Sequence, residues 1–163
     1  MMRLILMCGM IGSGKSTKAR QIQATSDEPV VILNDDAITH MVSGGDYTYV
    51  SAFKPIYKGL IDAGIRLAFS AGVSVCVDRT CLDVSARTRI RDVARQAGYM
   101  RHELVWFPPT QPALYYATKR WRSDSRGLPL SKWLEVATTH LQSYTNPLAS
   151  ETWDRVDIQQ EHP

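Results

Sequence analysis

Leu4-Ile5-Leu6-Met7-Cys8-Gly9-Met10-Ile11-Gly12-Ser13-Gly14-Lys15-Ser16-Thr17 is the stretch whose reading decides the fold. The continuous apolar run Leu4 to Cys8 reads as a buried strand. It feeds directly into a complete G-x-x-x-x-G-K-[ST] pattern, a P-loop or Walker A motif. Gly9, Gly12 and Gly14 let the chain curl so that successive backbone N–H groups, including those of Ser13 and Thr17, point at phosphate oxygens. Lys15 carries positive charge to the outer phosphates, and the Ser16 hydroxyl is a Mg²⁺ ligand. A helix opening near Lys15 aims its positive dipole end at the same anion. The pattern predicts a nucleoside triphosphate site.

Downstream, short apolar runs alternate with helical periodicity. A helix is expected from Lys15 to about Ala24, broken by Ser26-Asp27-Glu28-Pro29. Val30 to Leu33 reads as a second buried strand ending in Asn34-Asp35-Asp36, where one aspartate is expected to cap the next helix. Gly44-Gly45-Asp46, Tyr47 and Tyr49 read as a loop. Phe53, Ile56, Tyr57, Leu60, Ile61, Gly64, Ile65 and Ala68 recur at helical spacing up to Gly72.

Val73 to Val77 is a third strand, closing on Asp78-Arg79-Thr80. Asp83 opens a helix that stops at Gly98. Leu104 to Phe107 is a fourth strand. A helix from about Pro112 to Trp121 runs into the basic segment 119–127. Pro129 introduces a helix with Leu130, Trp133, Leu134, Ala137, Leu141 and Tyr144 on one face, and Trp153 to Ile158 is a weak last strand. The order implies an α/β P-loop kinase fold: a parallel sheet of four or five strands, helices on both faces, and a helical lid at about 119–129. In such sheets ligands bind beyond the carboxyl ends of the strands.

At 163 residues the chain is expected to be a single domain, 1–163. Hydrophobic residues at 44% and charged residues at 21% describe an ordinary globular protein, and no apolar run is long enough to span a membrane. Met1-Met2-Arg3 leads straight into the P-loop strand, with no signal peptide expected. Cys8, Cys76 and Cys81 form neither a disulfide framework nor a metal spacing, so no disulfide-linked partner is expected and the expected compartment is reducing and cytoplasmic. The net charge of +3 is milder than that of a domain clamping long duplexes.

The strand ends supply the remaining candidates. Asp35 or Asp36 is placed to hydrogen-bond an acceptor hydroxyl. Asp78, after an apolar run, has the layout of a Walker B carboxylate for Mg²⁺; the alternative is a turn cap. Arg120, Arg122 and Arg126, in a segment with Ser and Gly, read as a lid that sets guanidinium groups on the β- and γ-phosphates, with Arg126 before Gly127 foremost; the alternative is a solvated basic turn. Arg87, Arg91 and Arg95, four apart, read as one helix face, either solvated or touching nucleic-acid phosphates.

Residues 2–145 resemble the P-loop polynucleotide 5′-hydroxyl kinases of bacteriophages and end-healing systems. The markers are GMIGSGKST at 9–17, NDDAI at 34–38, DRTCLDVSARTR at 78–89 and KRWRSDSRG at 119–127. The resemblance implies ATP as phosphate donor with Mg²⁺, Lys15 and Ser16 on the nucleotide, Asp35 as general base, Arg126 on the transferring phosphate, and Arg122 as a second lid arginine. It also implies an acceptor on nucleic acid, DNA more than RNA, and host cytoplasm as the setting if phage-encoded.

The chain departs from those relatives on the acceptor side. Ile38 stands where they carry an arginine for the acceptor phosphate, Asn34 where they carry another, and Arg79-Thr80-Cys81 where they have Asp-Thr-Asn. The expected acceptor-side positions are therefore Asp35, Ile38 and Arg79. A 5′-hydroxyl end is the first acceptor, a hydroxymethylpyrimidine base of phage DNA the second, and a small molecule the third. A nucleotide-binding switch without catalysis is the rival, but it has no use for a base at Asp35.

Overall fold

The computed structural model describes residues 1–45 and 47–160; Asp46, read above as part of a loop, and residues 161–163 lie outside the described residues. Five strands, β1 (Arg3–Gly9), β2 (Val30–Asn34), β3 (Ser74–Asp78), β4 (Arg101–Phe107) and β5 (Arg155–Ile158), form one parallel sheet in the order β2-β3-β1-β4-β5. Between them run α1 (Lys15–Thr25), α2 (Asp35–Val42), α3 (Lys54–Ser70), α4 (Val84–Ala97), α5 (Ala113–Ser123) and α6 (Leu130–Ser143).

β1 is unbroken in its apolar character because it is central and covered on both sides. Leu4, Leu6 and Cys8 pack with Ile61 and Ile65 of α3 and Ile90 and Val93 of α4. Ile5 and Met7 point to the other face, against Ala19 and Ile22 of α1. Each such side chain contributes about 1.5–3 kcal/mol by leaving water, so Leu6→Ala would cost about 2–5 kcal/mol. A third apolar cluster joins Met10 of the P-loop to Tyr116 and Ala117 of α5 and Trp133 and Ala137 of α6. That cluster seats the last two helices over the carboxyl edge of the sheet.

Several boundaries differ from the sequence reading. β4 begins at Arg101 because its pairing follows β1 from Arg3↔Arg101 onward, and Arg101 is ion-paired with Glu103 at 2.7 Å. A 3₁₀ turn takes Ser51–Phe53, and α3 starts after it. Ile56, expected inward, is about half exposed at 49%, while Tyr57 is buried. Residues 119–123 belong to α5, so the lid segment proper is 124–129. Asp83 caps α4 through Ala86 N–H at 2.7 Å, and Gly98 ends it with φ +116°. No described helix is long and apolar enough to cross a membrane.

The basic face of α4 is corrected most sharply. Arg87 is fully buried, and its Nε and Nη2 donate to Glu151 at 2.8 and 2.7 Å. Its guanidinium also donates to the carbonyls of Cys81, Leu82, Thr145 and Asn146. Arg87 therefore neither faces solvent nor reaches a nucleic acid. It ties the segment after α6 to the core. Arg91 reaches Thr152 Oγ1 at 3.1 Å, and only Arg95 of the three is well exposed.

Candidate active site

The order of the sheet decides where the site lies. β1 is flanked by β3 on one side and β4 on the other, so the chain's crossovers diverge there and leave a crevice beyond the strand ends. A cavity of about 1230 Å³ occupies that position. Ligand pockets commonly run to about 1,000 Å³, so this one has room for two reactants side by side.

The P-loop forms its floor. Gly12 and Gly14 have φ of +67° and +94°, the left-handed region that favours glycine, and a Cβ on Gly12 would lie 2.7 Å from the Tyr116 carbonyl of α5. α1 begins at Lys15 with no side-chain cap and no acidic residue in its first turn. Its leading N–H groups are thus left for an anion. Gly12, Gly14, Lys15, Ser16 and Thr17 all line the cavity. Gly9 and Ser13 do not: Gly9 N–H donates to Thr80 O at 2.9 Å and serves the close packing of β1 against Phe107, and Ser13 is buried beneath the loop.

Lys15 is buried, and its Nζ donates to the Met10 carbonyl, with Ser13 Oγ at 3.5 Å. Burial pushes its pKa down to about 8, with Arg120 adding repulsion and the Asp78 carboxylate pulling the other way. A phosphate arriving there would restore the full charge of the ammonium.

Asn34 and Asp78 face each other in register at the tips of β2 and β3, and Asn34 Nδ2 donates to Asp78 Oδ2 at 2.7 Å. Asn34 Oδ1 accepts from Ala37 N–H at 2.8 Å, so Asn34, and neither aspartate, caps α2. That leaves Asp35 and Asp36 in the first helical turn with their carboxylates directed to arginines. Arg79 Nε donates to Asp35 Oδ2 at 2.7 Å, and Arg120 Nη2 of α5 donates to Asp36 Oδ2 at 2.7 Å. Burial raises the Asp35 pKa, opposed by the Arg79 guanidinium and supported by the neighbouring Asp36 and Asp78.

Arg126 reaches the cavity from the lid segment, ion-paired with Asp124, its guanidinium carbon over the Tyr47 ring at 3.9 Å from the centroid. On its other side lies Trp133 at 4.8 Å, with Arg120 against the same indole at 5.1 Å. Arg122 stands exposed outside the cavity lining, because a helical α5 turns it away from Arg120. Ile38, expected on the acceptor side, is 9% exposed, packed in the core with Tyr57 and Ile61, and outside the cavity lining.

The sequence reading passed over Trp133 and His140 as cavity walls. They are seven apart on α6, on the face that periodicity assigns to the core, and only the overhang of α6 beyond the sheet turns that face toward the P-loop. Tyr49 and Tyr57, stacked at 5.4 Å, also line the cavity.

For a divalent cation, the available side chains are the Ser16 hydroxyl and the Asp78 carboxylate, both in the cavity lining. No group of three or more His, Cys, Asp or Glu placed to hold a metal exists among the described residues. One hydroxyl and one carboxylate fit a Mg²⁺ that takes its other ligands from phosphates and water, and do not fit an all-protein cage.

The sequence matches a family described as an AAA domain over residues 4–147. It matches none of the curated proteins. Among solved structures, Chaetomium thermophilum Kti12 in complex with ADP-AlF3 is 16% identical with a TM-score of 0.67, covering 96% of this chain and 88% of that one. A gluconokinase from Sinorhizobium meliloti is 19% identical with a TM-score of 0.58, covering 94% and 79%. A chain of the Pnkp1/Rnl/Hen1 RNA repair complex is 22% identical with a TM-score of 0.62, covering 86% of this chain and 44% of that one. At such low identities the structural likeness shows a shared P-loop kinase-like fold and nothing beyond it.

Proposed function

The chain belongs to this AAA domain family, and from that premise we propose that it is an ATP-dependent phosphotransferase whose acceptor is a primary hydroxyl on nucleic acid, first a polynucleotide 5′-hydroxyl. One observation carries the reading: Lys15, Asp35, Asp78 and Arg126, from four separate stretches of sequence, line a single cavity. A protein that only held nucleotide would need the first and third of these. The carboxylate at Asp35 and the guanidinium at Arg126 are the groups a transfer reaction adds.

In this reading the P-loop amides and Lys15 hold the β- and γ-phosphates, and Ser16 with Asp78 would hold Mg²⁺. When bound, that ion supplies charge neutralisation on the phosphate oxygens. Asp35 accepts the proton of the acceptor hydroxyl as its oxygen bonds to the γ-phosphorus. The bond from that phosphorus to the β–γ bridging oxygen breaks, and ADP leaves. Arg126 lies against the transferring group. A carboxylate raised by burial is a better base than a free one, which suits Asp35.

Support for a nucleic-acid acceptor comes from the motifs at 34–38 and 119–127, from the tyrosines and tryptophan that line the cavity, and from the fold shared with a chain of an RNA repair complex. The same fold serves a gluconokinase, so the acceptor is settled by assay. ATP labelled in the γ-phosphate is offered with a 5′-hydroxyl oligonucleotide, a duplex bearing hydroxymethylpyrimidine, a nucleoside panel and gluconate. Label on the oligonucleotide is the expected result. Label on gluconate or a nucleoside alone would overturn the nucleic-acid assignment, and label on none would overturn the transferase.

A further inference from the structure

The lid and α6 carry four buried polar atoms with no hydrogen-bond partner among the described residues: Asp124 Oδ2 and Arg126 Nη2 in the lid, and Trp133 Nε1 and His140 Nδ1 on α6. Arg126, Trp133 and His140 line the cavity; Asp124 does not, and its other oxygen accepts from Arg126 Nε. An unsatisfied buried donor costs about 1–3 kcal/mol, and native proteins keep few of them. Three such atoms belong to residues that line this one cavity.

Their chemistry narrows what would satisfy them. Indole Nε1 and guanidinium Nη2 are donors only, so their partner must present oxygens that accept. Trp133 is 6% exposed, and the guanidinium groups of Arg120 and Arg126 lie 5.1 and 4.8 Å from its ring centroid. The indole thus sits beside two arginines, each paired with an aspartate. His140 lies seven residues on, on the same face of α6. Burial and nearby Lys15 push its pKa down to about 4, so it is neutral at physiological pH and adds no charge of its own. Lys119 and Lys132 also line the cavity. The nearby carboxylates Asp35, Asp36 and Asp124 are engaged by Arg79, Arg120 and Arg126.

We infer that α6 forms an oxyanion-binding wall in which Trp133 Nε1–H, beside Arg126 Nη2 and His140, donates to the oxygens of a phosphoryl group. That group is either the γ-phosphoryl of the nucleotide or a phosphate of the acceptor. This rests on the reading of the cavity as a phosphoryl-transfer site, and on nothing about which acceptor is used. It gives α6 a part in binding, where helical periodicity assigns its buried face to packing alone.

The test uses the indole N–H as its own reporter. The protein is labelled with ¹⁵N-tryptophan, and Trp133→Phe, which keeps an aromatic ring beside the two arginines and removes the N–H, identifies the Trp133 signal. AMPPNP, ADP and a 5′-hydroxyl oligonucleotide are then titrated separately into wild type. A downfield move of the Trp133 indole proton with AMPPNP and not ADP assigns the oxyanion to the γ-phosphoryl. A move with the oligonucleotide assigns it to the acceptor.

Trp133→Phe is expected to weaken the same ligand about tenfold or more, the usual weight of a hydrogen bond to a charged group. An indole signal that stays in place with all three ligands, while AMPPNP binds wild type, overturns the inference and leaves the transferase reading standing. Failure of AMPPNP to bind wild type overturns both. If Trp133→Phe fails to fold, the wild-type titration still decides, since the signal is then assigned by exclusion using Trp106→Phe, Trp121→Phe and Trp153→Phe.

Discussion

Arg79 Nε lies 2.7 Å from Asp35 Oδ2, so the tip of β3 supplies a cation to the carboxylate that opens α2. If that carboxylate takes the acceptor proton, Asp35→Asn should leave ATP affinity near normal. Phosphoryl transfer should fall by about 10²–10⁴-fold, the usual weight of a general base. Single-turnover kinetics with equilibrium nucleotide binding measures both. Full activity in the variant would move the role to Asp36 or remove it.

The same pair makes a pH prediction. The opposite charge of Arg79 lowers the Asp35 pKa while burial raises it. Arg79→Met removes the lowering influence, so Asp35 holds its proton to higher pH. The acid limb of the pH profile of kcat/KM should therefore shift upward in the variant. An unmoved limb would show that Asp35 does not titrate in the reaction.

Lys15 sets the other limb. Its pKa of about 8 in the folded chain lies below the ordinary 10.5. The unfolded chain holds that proton more tightly, so below about pH 8 the charged lysine weighs against folding, and the penalty lifts as pH rises from about 8 to 10.5. Triphosphate binding needs the charged form and should draw a proton in. Calorimetric titration of ATP at pH 8, in buffers of different ionisation enthalpy, should report uptake of about half a proton per site. Affinity should weaken above that pH.

Arg126→Ala should reduce turnover about 10²–10³-fold, as removal of a donor to transition-state charge does elsewhere, with a smaller effect on nucleotide Kd. Steady-state kinetics against a fluorescence-monitored Kd separates the two. An effect confined to Kd would make Arg126 a nucleotide clamp.

The buried pair of Arg87 and Glu151 should be costly to break singly. Glu151→Gln leaves an uncompensated guanidinium inside the protein and should lower stability by about 3–5 kcal/mol in urea unfolding. Replacing both, Arg87→Met with Glu151→Leu, should cost less than the single change, because the unpaired charge goes as well. Arg87 also holds the Glu151 pKa below its ordinary value. That part of the stability is present above the ordinary carboxylate range and is lost as pH falls through the lowered value.

Much of this architecture is legible in the residues themselves. The run Leu4–Cys8 reads as a strand covered on both faces once the P-loop pattern follows it, and the glycine spacing there suits a loop of left-handed turns. Both are local and obey sterics. Arg87 was not legible: a basic residue every fourth position looks the same whether it meets water or a carboxylate 64 positions later. Ile38 and Arg122 lie outside the cavity lining for a related reason, since a matching motif aligns positions but does not say which way a helix turns them. Trp133 and His140 were hidden by success, because their spacing correctly marks a buried face and is silent about the ligand cavity that borders it.

The Arg87–Glu151 tie also imposes a timetable on synthesis. Glu151 leaves the ribosome 64 residues after Arg87, which at roughly 5–20 residues per second is a delay of about 3–13 seconds. Three of the five strands have been made when that interval opens and four once β4 is complete at Phe107, yet the guanidinium still has no Glu151 carboxylate to meet. Until Glu151 arrives the site that buries Arg87 lacks its counter-charge, and an unpaired guanidinium is costly to take out of water.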